Sequence, residues 1–316
     1  MEYLWIVISI FAALMQAVRT AAQKTLNQKM SNLGTTYVRS VFGLPLMVAF
    51  LAYVLVQFGG AWPKMRADYL LFTAGGAAAQ IFATMALIYM FKLRNFAIGT
   101  MLTKVDILMT AIVGSVLFSE SLSTNGVIAL LVVVSGVLLM TIGRMGVGAL
   151  MSGEGLAAQL FGKSTQVAFL CALLFTFSYL FLREALLIME PAEGFVLKEG
   201  VGAMFWRGAW TVVIATLMQI VAVGAYLWVT ERGVFREMRA SAKIGTFIGV
   251  TSAIGSIGWY TAFAMQNASY VRAVGQIEVV FTLLIAWFYF RERITVLELA
   301  GVALTVSGIL MFRVIA

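Results

Sequence analysis

Apolar residues dominate the chain in ten long runs, which short polar segments separate. A helix needs roughly 20 mostly apolar residues to cross the hydrocarbon core of a bilayer. Each run is about long enough to do so, and glycine is frequent in the runs, as it is where membrane helices pack closely. The pattern therefore predicts ten membrane-spanning helices, near residues 3–28, 34–57, 68–92, 96–118, 124–143, 164–189, 199–229, 243–265, 270–289 and 295–314.

Part of the first half of the chain recurs in the second half without a gap. The segment from Asn95 to Leu138 aligns with the segment from Asn267 to Leu310 at a constant offset of 172 residues. Predicted helices 3 to 5 thus correspond to helices 8 to 10, and helices 1 and 2 correspond more loosely to helices 6 and 7. The aligned features are Asp106 with Glu278, Phe118-Ser119-Glu120 with Phe290-Arg291-Glu292, and Ser135-Gly136 with Ser307-Gly308.

Each repeat contains five predicted helices, which is an odd number. Two such repeats in one chain enter the membrane in opposite directions, so that their pseudo-two-fold axis lies in the membrane plane. We therefore expect an all-α integral membrane protein built from two inverted five-helix repeats, over residues 1–143 and 164–316. Residues 144–163 are rich in glycine and form the predicted linker, and residues 230–242 form a predicted solvated, basic loop.

Composition excludes most soluble functions. The chain is 62% hydrophobic and 11% charged, whereas a soluble domain carries roughly 25% charged residues. It contains no histidine and a single cysteine, so we expect no metal site and no cofactor. The net charge of +8 does not indicate a nucleic-acid partner, because the basic residues lie mainly at the ends of the apolar runs.

The placement of lysine and arginine predicts an orientation. Twelve of these residues lie at the predicted face opposite the N-terminus, and four lie at the N-terminal face, namely Lys64, Arg66, Lys198 and Arg313. Basic residues favour the cytoplasmic side, so the count predicts that both termini lie outside the cytoplasm of a multi-pass protein of the inner (plasma) membrane. The chain enters its first apolar run at once, without a basic leader, and we expect this first helix to be retained.

Several charged residues lie inside the apolar runs, where one charge costs about 2.5–3.5 kcal/mol on insertion scales. Asp106 lies ten residues into its predicted helix and Glu278 lies eight residues into its own, so both are near the bilayer midplane at about 1.5 Å per residue. These costly charges predict a transport site. The candidate substrate-binding or coupling residues are Arg19, Arg39, Lys104, Asp106, Arg183, Glu184, Arg207 and Glu278.

A structural role is the alternative for these charges. Buried charges are normally paired, and Asp106 would then neutralise Arg39 or Lys104 while Glu278 would neutralise Arg207. Inverted symmetry instead relates the arginines in pairs, so that each half supplies two arginines and one acid on opposite sides of the midplane. These pairs are Arg19 with Arg183 and Arg39 with Arg207.

The charges also indicate a class of solute. Basic residues outnumber acids in the set, and an arginine without a protein partner binds a carboxylate or phosphate group bidentately. We therefore expect an anionic or zwitterionic solute. Because the chain has no histidine, any proton coupling requires a carboxylate, and the candidates are Asp106, Glu184 and Glu278.

Aromatic side chains on the same predicted helices form a second candidate set. Packing or anchoring at the membrane interface is their alternative role. The candidate cavity residues are Tyr37, Tyr179, Trp206, Trp259 and Tyr260.

Two further repeated features favour structural roles. Glu120 and Glu292 are expected to start the helices that follow them, because a carboxylate there complements the helix dipole. Gly136 and Gly308 are expected to let two helices pack closely.

The order and the doubling of these motifs resemble the EamA family of the drug/metabolite transporter superfamily over almost the whole chain. The family repeat has an apolar run, a Glu, a short polar turn and then a helix with Gly before Val or Ile, as in Glu120-Ser121-Leu122-Ser123 and Ser135-Gly136-Val137. An acid fourteen residues before that Glu and an arginine near the start of the second helix are also frequent in the family. Asp106, Glu278 and Arg39 match these positions.

The resemblance implies ten helices in two repeats and secondary transport of small solutes such as amino acids, sugars, phosphorylated metabolites or drugs, but it does not name the substrate. Two features differ from the family pattern. Ile107 and Val279 stand where the family commonly has a proline. Members of the family are usually expected to have cytoplasmic termini, whereas the Lys and Arg count predicts termini outside the cytoplasm.

The sequence therefore predicts a secondary transporter that exports a small polar metabolite by alternating access. Its expected partners are the solute, the lipid bilayer and, through a carboxylate, a coupling proton. No P-loop, nucleophile elbow or metal-binding motif indicates ATP-driven transport or an enzyme. Two alternatives stay open, namely an intramembrane enzyme acting on a lipid-linked substrate with carboxylates alone and a membrane assembly partner that transports nothing.

Overall fold

Helices make up nearly all of the structure. The computed structural model describes residues 3–26, 30–58, 61–91, 104–145, 163–195, 197, 200–288, 291 and 293–315 of the chain. Among these residues, an isolated bridge joins Pro63 and Pro191, and no strand is formed. The helices are α1 (Leu4–Leu26), α2 (Asn32–Phe58), α3 (Ala67–Phe91), α4 (Asp106–Leu117), α5 (Thr124–Met145), α6 (Lys163–Ile188), α7 (Val201–Thr230), α8 (Val234–Ala240), α9 (Ala242–Met265), α10 (Ala268–Gly275), α11 (Ile277–Phe288) and α12 (Val296–Ile315).

Nine segments within the described residues are long and apolar enough to cross a membrane. They agree with nine of the predicted helices to within a few residues, so the all-helical fold of a multi-pass membrane protein is confirmed. Helix α4 has only 12 residues, and the first part of the predicted helix over 96–118 lies outside the described residues. The count of ten therefore stays a prediction. Residues 146–162 of the predicted linker also lie outside the described residues.

One of the predicted elements is wrong, and another is interrupted. The predicted solvated loop over residues 230–242 contains the helix α8, which forms because its apolar side is packed. Val234 is buried, and the ring of Phe235 lies edge to face against the ring of Tyr37 at 5.7 Å between centroids. The predicted single helix over 270–289 is divided at Gln276 into α10 and α11.

The same unusual backbone conformation occurs at matching positions of the two repeats. Ser119 and Arg291 are the non-glycine residues with positive φ in the described part of the chain, at 52° and 55°. They are 172 residues apart, which is the offset of the sequence repeat. Because the left-handed region is uncommon outside glycine, this shared turn supports a common origin of the two segments.

The chain divides into two compact units, and each unit takes segments from both predicted repeats. The first unit comprises Met1–Tyr3, Ala79–Leu180 and Asn267–Ala316. The second unit comprises Leu4–Ala78 and Phe181–Gln266. Helices α3 and α6 each contribute residues to both units.

Close packing of α5 against α12 organises the first unit. A Cβ atom added at Gly136 would lie 2.5 Å from the backbone nitrogen of Thr305, and one at Gly308 would lie 2.8 Å from the backbone nitrogen of Val133. Only glycine allows two helix backbones to approach so closely. The expectation that these two repeated glycines permit close helix packing is therefore confirmed.

A large aromatic core fills the second unit. The side chains of Trp206 and Tyr69 are fully buried there. The indole Nε1 of Trp206 donates to the carbonyl of Ala61 at 2.8 Å, which holds the start of the α2–α3 connection against α7. Helices α2 and α9 approach each other closely, because a Cβ atom at Gly249 would lie 2.5 Å from the backbone of Phe42.

We predict that Gly136→Ala destabilises the protein by about 1–3 kcal/mol, the usual cost of overpacking. The added methyl group meets backbone atoms of α12, which cannot move aside as a flexible side chain does. Thermal unfolding of the purified protein measures the effect. Gly233→Ala is the matched control, since nothing lies within 4 Å of its added Cβ, and equal melting temperatures for the two variants would contradict the prediction.

Candidate functional site

A buried ion pair lies in the first unit. Nη2 of Arg272, on α10, donates to Oδ2 of Asp106, the first residue of α4, at 2.9 Å. Asp106 is 3% exposed and Arg272 is 8% exposed. Desolvation costs several kcal/mol for each ion of such a pair, so only close contact with an opposite charge keeps both ionised. The two residues are 166 positions apart and come from different predicted repeats.

The carboxylate of Asp106 is only partly satisfied by hydrogen bonds. The hydroxyl groups of Thr110 and Thr176 donate to the backbone carbonyl of Asp106, at 2.6 Å and 3.2 Å, and not to its side chain. Its second carboxylate oxygen, Oδ1, is buried and has no hydrogen-bond partner among the described residues. Since buried polar atoms ordinarily have a partner, Asp106 has room for one more donor.

Arg272 also interacts with a second acid and with an aromatic ring. Its guanidinium carbon lies 4.3 Å from the ring centroid of Tyr179, on α6, which is a cation–π contact. The carboxylate of Glu278 is within electrostatic range of both Arg272 and Tyr179. Asp106 acts on the same two groups. The first unit therefore collects both repeated acids, one arginine and one tyrosine in a cluster, which we call the acid–arginine cluster.

An interruption of the helix separates the arginine from the second acid. Helix α10 ends at Gly275 and α11 begins at Ile277. The N–H of Gln276 donates to the carbonyl of Ala273, and the N–H of Val279 donates to the carbonyl of Gln276. Both are three-residue hydrogen bonds, typical of a tightened 3₁₀ turn. Arg272 precedes this turn and Glu278 follows it, so the two charges belong to different helical segments.

These positions correct parts of the sequence prediction. In the alternative, structural role Asp106 would neutralise Arg39 or Lys104, but its partner is Arg272. Lys104 lies in the turn just before α4 and is partly buried. Both acids act on the guanidinium of Arg272, and their positions relative to the midplane stay a prediction. A signal for Arg272 was present in the sequence, because it is a basic residue in an apolar run six positions before Glu278.

The second unit holds an arginine pair. The guanidinium groups of Arg39, on α2, and Arg19, on α1, are near enough to repel each other electrostatically. The hydroxyl of Tyr260, on α9, also interacts with Arg39, and both arginines are only partly buried. No carboxylate among the described residues of this unit acts on Arg39. Two like charges close together favour a bound anion.

The structure places the other predicted charges in different settings. Arg183 donates through Nη1 to the carbonyls of Phe263, at 2.6 Å, and of Gln266, at the C-terminus of α9. A cation there complements the helix dipole, so this contact favours a structural role. Arg207, on α7, is partly buried, and its Nε atom has no hydrogen-bond partner among the described residues. Glu184 is partly buried on α6.

The aromatic residues predicted to line a cavity lie in different environments. Trp206 is fully buried and bonded to Ala61, so its predicted position in a cavity is wrong, because no face of the indole is left for a solute. Tyr37 packs against Phe235 of α8. Trp259 donates to Oε1 of Gln16 at 3.0 Å. Tyr179 and Tyr260 lie beside the arginines described above.

Glu120 has a different partner from the one predicted. It is 7% exposed, and both of its carboxylate oxygens accept hydrogen bonds from the start of α10. Its Oε1 accepts from the backbone N–H of Ala268 at 2.7 Å, and its Oε2 accepts from the hydroxyl of Ser269 at 2.8 Å. Glu120 therefore caps the N-terminus of α10, the helix that carries Arg272. Glu292 lies outside the described residues.

The comparisons with known proteins agree with this architecture. Residues 3–142 match the model of the EamA-like transporter family. A solved crystal structure of another protein is similar over 99% of both chains, with 14% sequence identity and a TM-score of 0.68. At this identity the likeness shows the fold alone. No protein of the curated set matches the chain.

We predict that Arg272→Gln destabilises the protein by about 3–5 kcal/mol, because it leaves Asp106 as an uncompensated buried charge. Arg66→Gln is the matched control. Arg66 is also paired with an aspartate, Asp68, at 2.6 Å, but both side chains are exposed, and such a pair contributes about 1 kcal/mol at most. Thermal unfolding of both variants tests this difference, and equal losses would show that the buried pair is not important for stability.

Proposed function

We propose, since the chain belongs to the EamA-like transporter family of the drug/metabolite transporter superfamily, that it is a secondary transporter of a small anionic or zwitterionic solute. The membrane-spanning fold agrees with this proposal. The proposed location is the inner (plasma) membrane, and the proposed direction is export. The arginine pair of the second unit is the observation that supports an anionic or zwitterionic solute.

The arginine pair supports an anionic group on the solute. Arg39 lies beside a second guanidinium and a tyrosine hydroxyl, and the described residues of its unit offer it no carboxylate. A carboxylate or phosphate bound there would replace the repulsion between Arg19 and Arg39 with two attractive, charge-assisted contacts. The hydroxyl of Tyr260, which acts on Arg39, is the further donor that we propose for this site. An amino acid would satisfy this site through its carboxylate.

Alternating access between two inverted five-helix repeats is the proposed mechanism. It is supported by the gapless repeat of 172 residues and by two structural features at equivalent positions. Ser119 and Arg291 share the left-handed turn. Gly136 and Gly308 share the close contact of α5 with α12. These pairs indicate that corresponding parts of the two repeats adopt corresponding structures.

Coupling to an ion or a proton is proposed for the acid–arginine cluster. The chain has no histidine, so carboxylates are the groups that can take up a proton. Asp106 and Glu278 interact with the same arginine, and a change in the charge of either acid would therefore change the forces on α10. We assign solute binding to Arg39 and coupling to Asp106 and Glu278.

A substrate screen followed by transport assays tests the function. Amino acids, small carboxylates and phosphorylated metabolites are first ranked by how far they raise the melting temperature of the purified protein, because a ligand of the folded state stabilises it. Flux of the best ligands is then measured in liposomes. Product formation in detergent, without a sealed compartment, would favour an intramembrane enzyme. Absence of any flux would favour an assembly partner.

We predict that Arg39→Gln weakens solute binding and lowers flux by about tenfold or more. A charge-assisted hydrogen bond contributes about 1.5–3 kcal/mol, and about 1.4 kcal/mol is a factor of ten in affinity. Arg239→Gln, on the exposed surface of α8, makes the same change in net charge and serves as the control. Unchanged affinity in Arg39→Gln would remove this arginine from the binding site.

A further inference from the structure

The short helix α8 joins two membrane-spanning helices of the second unit and carries exposed basic residues. Helix α7 ends at Thr230 and α9 begins at Ala242, and both are long and apolar enough to cross a membrane. Because both of its ends continue into spanning helices, α8 lies at the boundary between membrane and water. We propose that the basic residues around α8 bind the headgroups of anionic phospholipids. We call these residues the basic surface, which consists of Arg232, Arg236, Arg239 and Lys243.

The apolar side of α8 is fixed against the protein. Val234 is 4% exposed, and Met238, one helical turn later, packs against the buried cluster that contains Leu26. The ring of Phe235 lies edge to face against the ring of Trp228, at 5.7 Å between centroids. These contacts set the rotation of the helix about its axis, so the basic side faces outward in one defined orientation.

The basic residues follow one side of the helical path. Arg236 and Arg239 are three residues apart on α8, which makes their side chains neighbours on the helix surface. Arg232 precedes Arg236 by four residues, and Lys243 follows Arg239 by four residues. Intervals of four, three and four residues keep side chains on the same face of a helix. All four residues are exposed.

Three of these cations have no counter-ion within the protein. In the part of the chain that the structure describes, the side chains of Arg236, Arg239 and Lys243 form no ion pair and no hydrogen bond. Two acids, Glu231 and Glu237, lie in the same segment but are not paired with these residues. The surface therefore keeps a positive charge that a bound anion can neutralise.

An exposed arginine near the predicted N-terminal face has a different environment. Arg66 is paired with Asp68 at 2.6 Å and with Glu190 at 3.5 Å. Its charge is thus already compensated by side chains of the protein. The comparison shows that exposure alone does not leave a basic residue of this chain without a carboxylate, and it distinguishes the basic surface from that region.

An exposed tryptophan adjoins the basic surface. Trp228, in the last turn of α7, is 60% exposed, and the next residue, Val229, is 78% exposed. The guanidinium carbon of Arg232 lies 5.4 Å from the centroid of the Trp228 ring, and its Nε donates to the Trp228 carbonyl at 2.8 Å. Tryptophan prefers the headgroup level of a bilayer. This contact therefore places the remaining donors of Arg232 at the depth of the lipid phosphates.

The arrangement fits lipid headgroups better than a soluble anion. Clusters of four or more Lys and Arg on an amphipathic helix beside a spanning helix attract anionic lipids, and each basic residue contributes about a fivefold gain in affinity. Seven residues separate Arg236 from Lys243, which is about 10 Å along a helix. Such a spacing suits the phosphates of neighbouring lipids in one leaflet. The inference goes beyond the proposed transport function and does not depend on it.

A comparison of two phospholipids tests the inference. The full chain is purified in a neutral detergent, and its melting temperature is measured as dioleoylphosphatidylglycerol or dioleoylphosphatidylcholine is added. The anionic lipid should raise the melting temperature further, because a ligand of the folded state stabilises it. In the double variant Arg236→Gln/Lys243→Gln, the apparent affinity for the anionic lipid should fall by about tenfold or more. A single substitution leaves most of the basic surface in place, so two residues are changed together.

A matched double variant controls for the change in net charge. Lys64→Gln/Arg66→Gln removes two exposed cations at the predicted N-terminal face and should keep the preference for the anionic lipid. Equal losses of affinity in the two double variants would overturn the inference. So would equal stabilisation of the unmodified protein by both lipids, which is the result expected if the surface binds an acidic protein instead.

Measurements on folded, charged proteins keep the test decisive if Arg236→Gln/Lys243→Gln does not fold. The exchange Arg236→Lys/Lys243→Arg keeps both charges and should keep the lipid preference. Roughly 0.5 M NaCl should weaken that preference in the unmodified protein, because salt screens exposed charges, and a preference that salt does not change would contradict the proposal.

A soluble phosphate separates the lipid from a free anion. Glycerol 3-phosphate should stabilise the unmodified protein far less than the anionic lipid does at the same concentration. Equal stabilisation would identify a site for soluble anions and overturn the lipid assignment. None of these measurements uses solute transport, so failure of this inference and failure of the transport proposal are separate outcomes.

Discussion

The cost of placing charge in an apolar environment governs the interior of this protein. An isolated ion in hydrocarbon is too unfavourable to persist, so each buried charge requires a partner. Arg272 meets Asp106 and the ring of Tyr179. Arg183 meets the carbonyl ends of α9. Arg39 differs from these, since its neighbours are another arginine and a tyrosine. The cost of burial thus explains why Arg272 and Arg183 have partners within the protein. For Arg39, the proposed partner is the solute.

The first unit combines a rigid part with an interrupted helix. Helices α5 and α12 are in backbone contact at Gly136 and Gly308, which leaves little freedom for either to move. Helix α10 is held at its start by Glu120, but it ends at the turn of Gln276. Arg272 lies between this fixed start and the turn. Such an arrangement defines the position of the guanidinium through the capped start of α10.

Much of the fold follows from the apolar pattern, because a bilayer leaves the backbone few ways to satisfy its hydrogen bonds. The helix positions and the close packing of Gly136 with α12 were predicted correctly for this reason. Helix α8 was missed, since its seven residues are stabilised by contacts of Val234 and Phe235 and not by length or continuous hydrophobicity. The turn at Gln276 was missed as well, because the sequence there has no proline and reads as one apolar run.

The candidate site, like the fold, was predicted from the sequence only in part. The sequence by itself determined that Asp106 and Glu278 are acids in apolar runs at equivalent positions, because an acid in an apolar run is conspicuous and the repeat doubles it. Only the tertiary structure decided that Arg272 is the ion-pair partner of Asp106 and that Glu120 caps α10. Both contacts join residues about 150 or more positions apart, at separations of 166 and 148. Helical periodicity relates only residues a few positions apart, so the choice of a distant partner depends on how the helices pack.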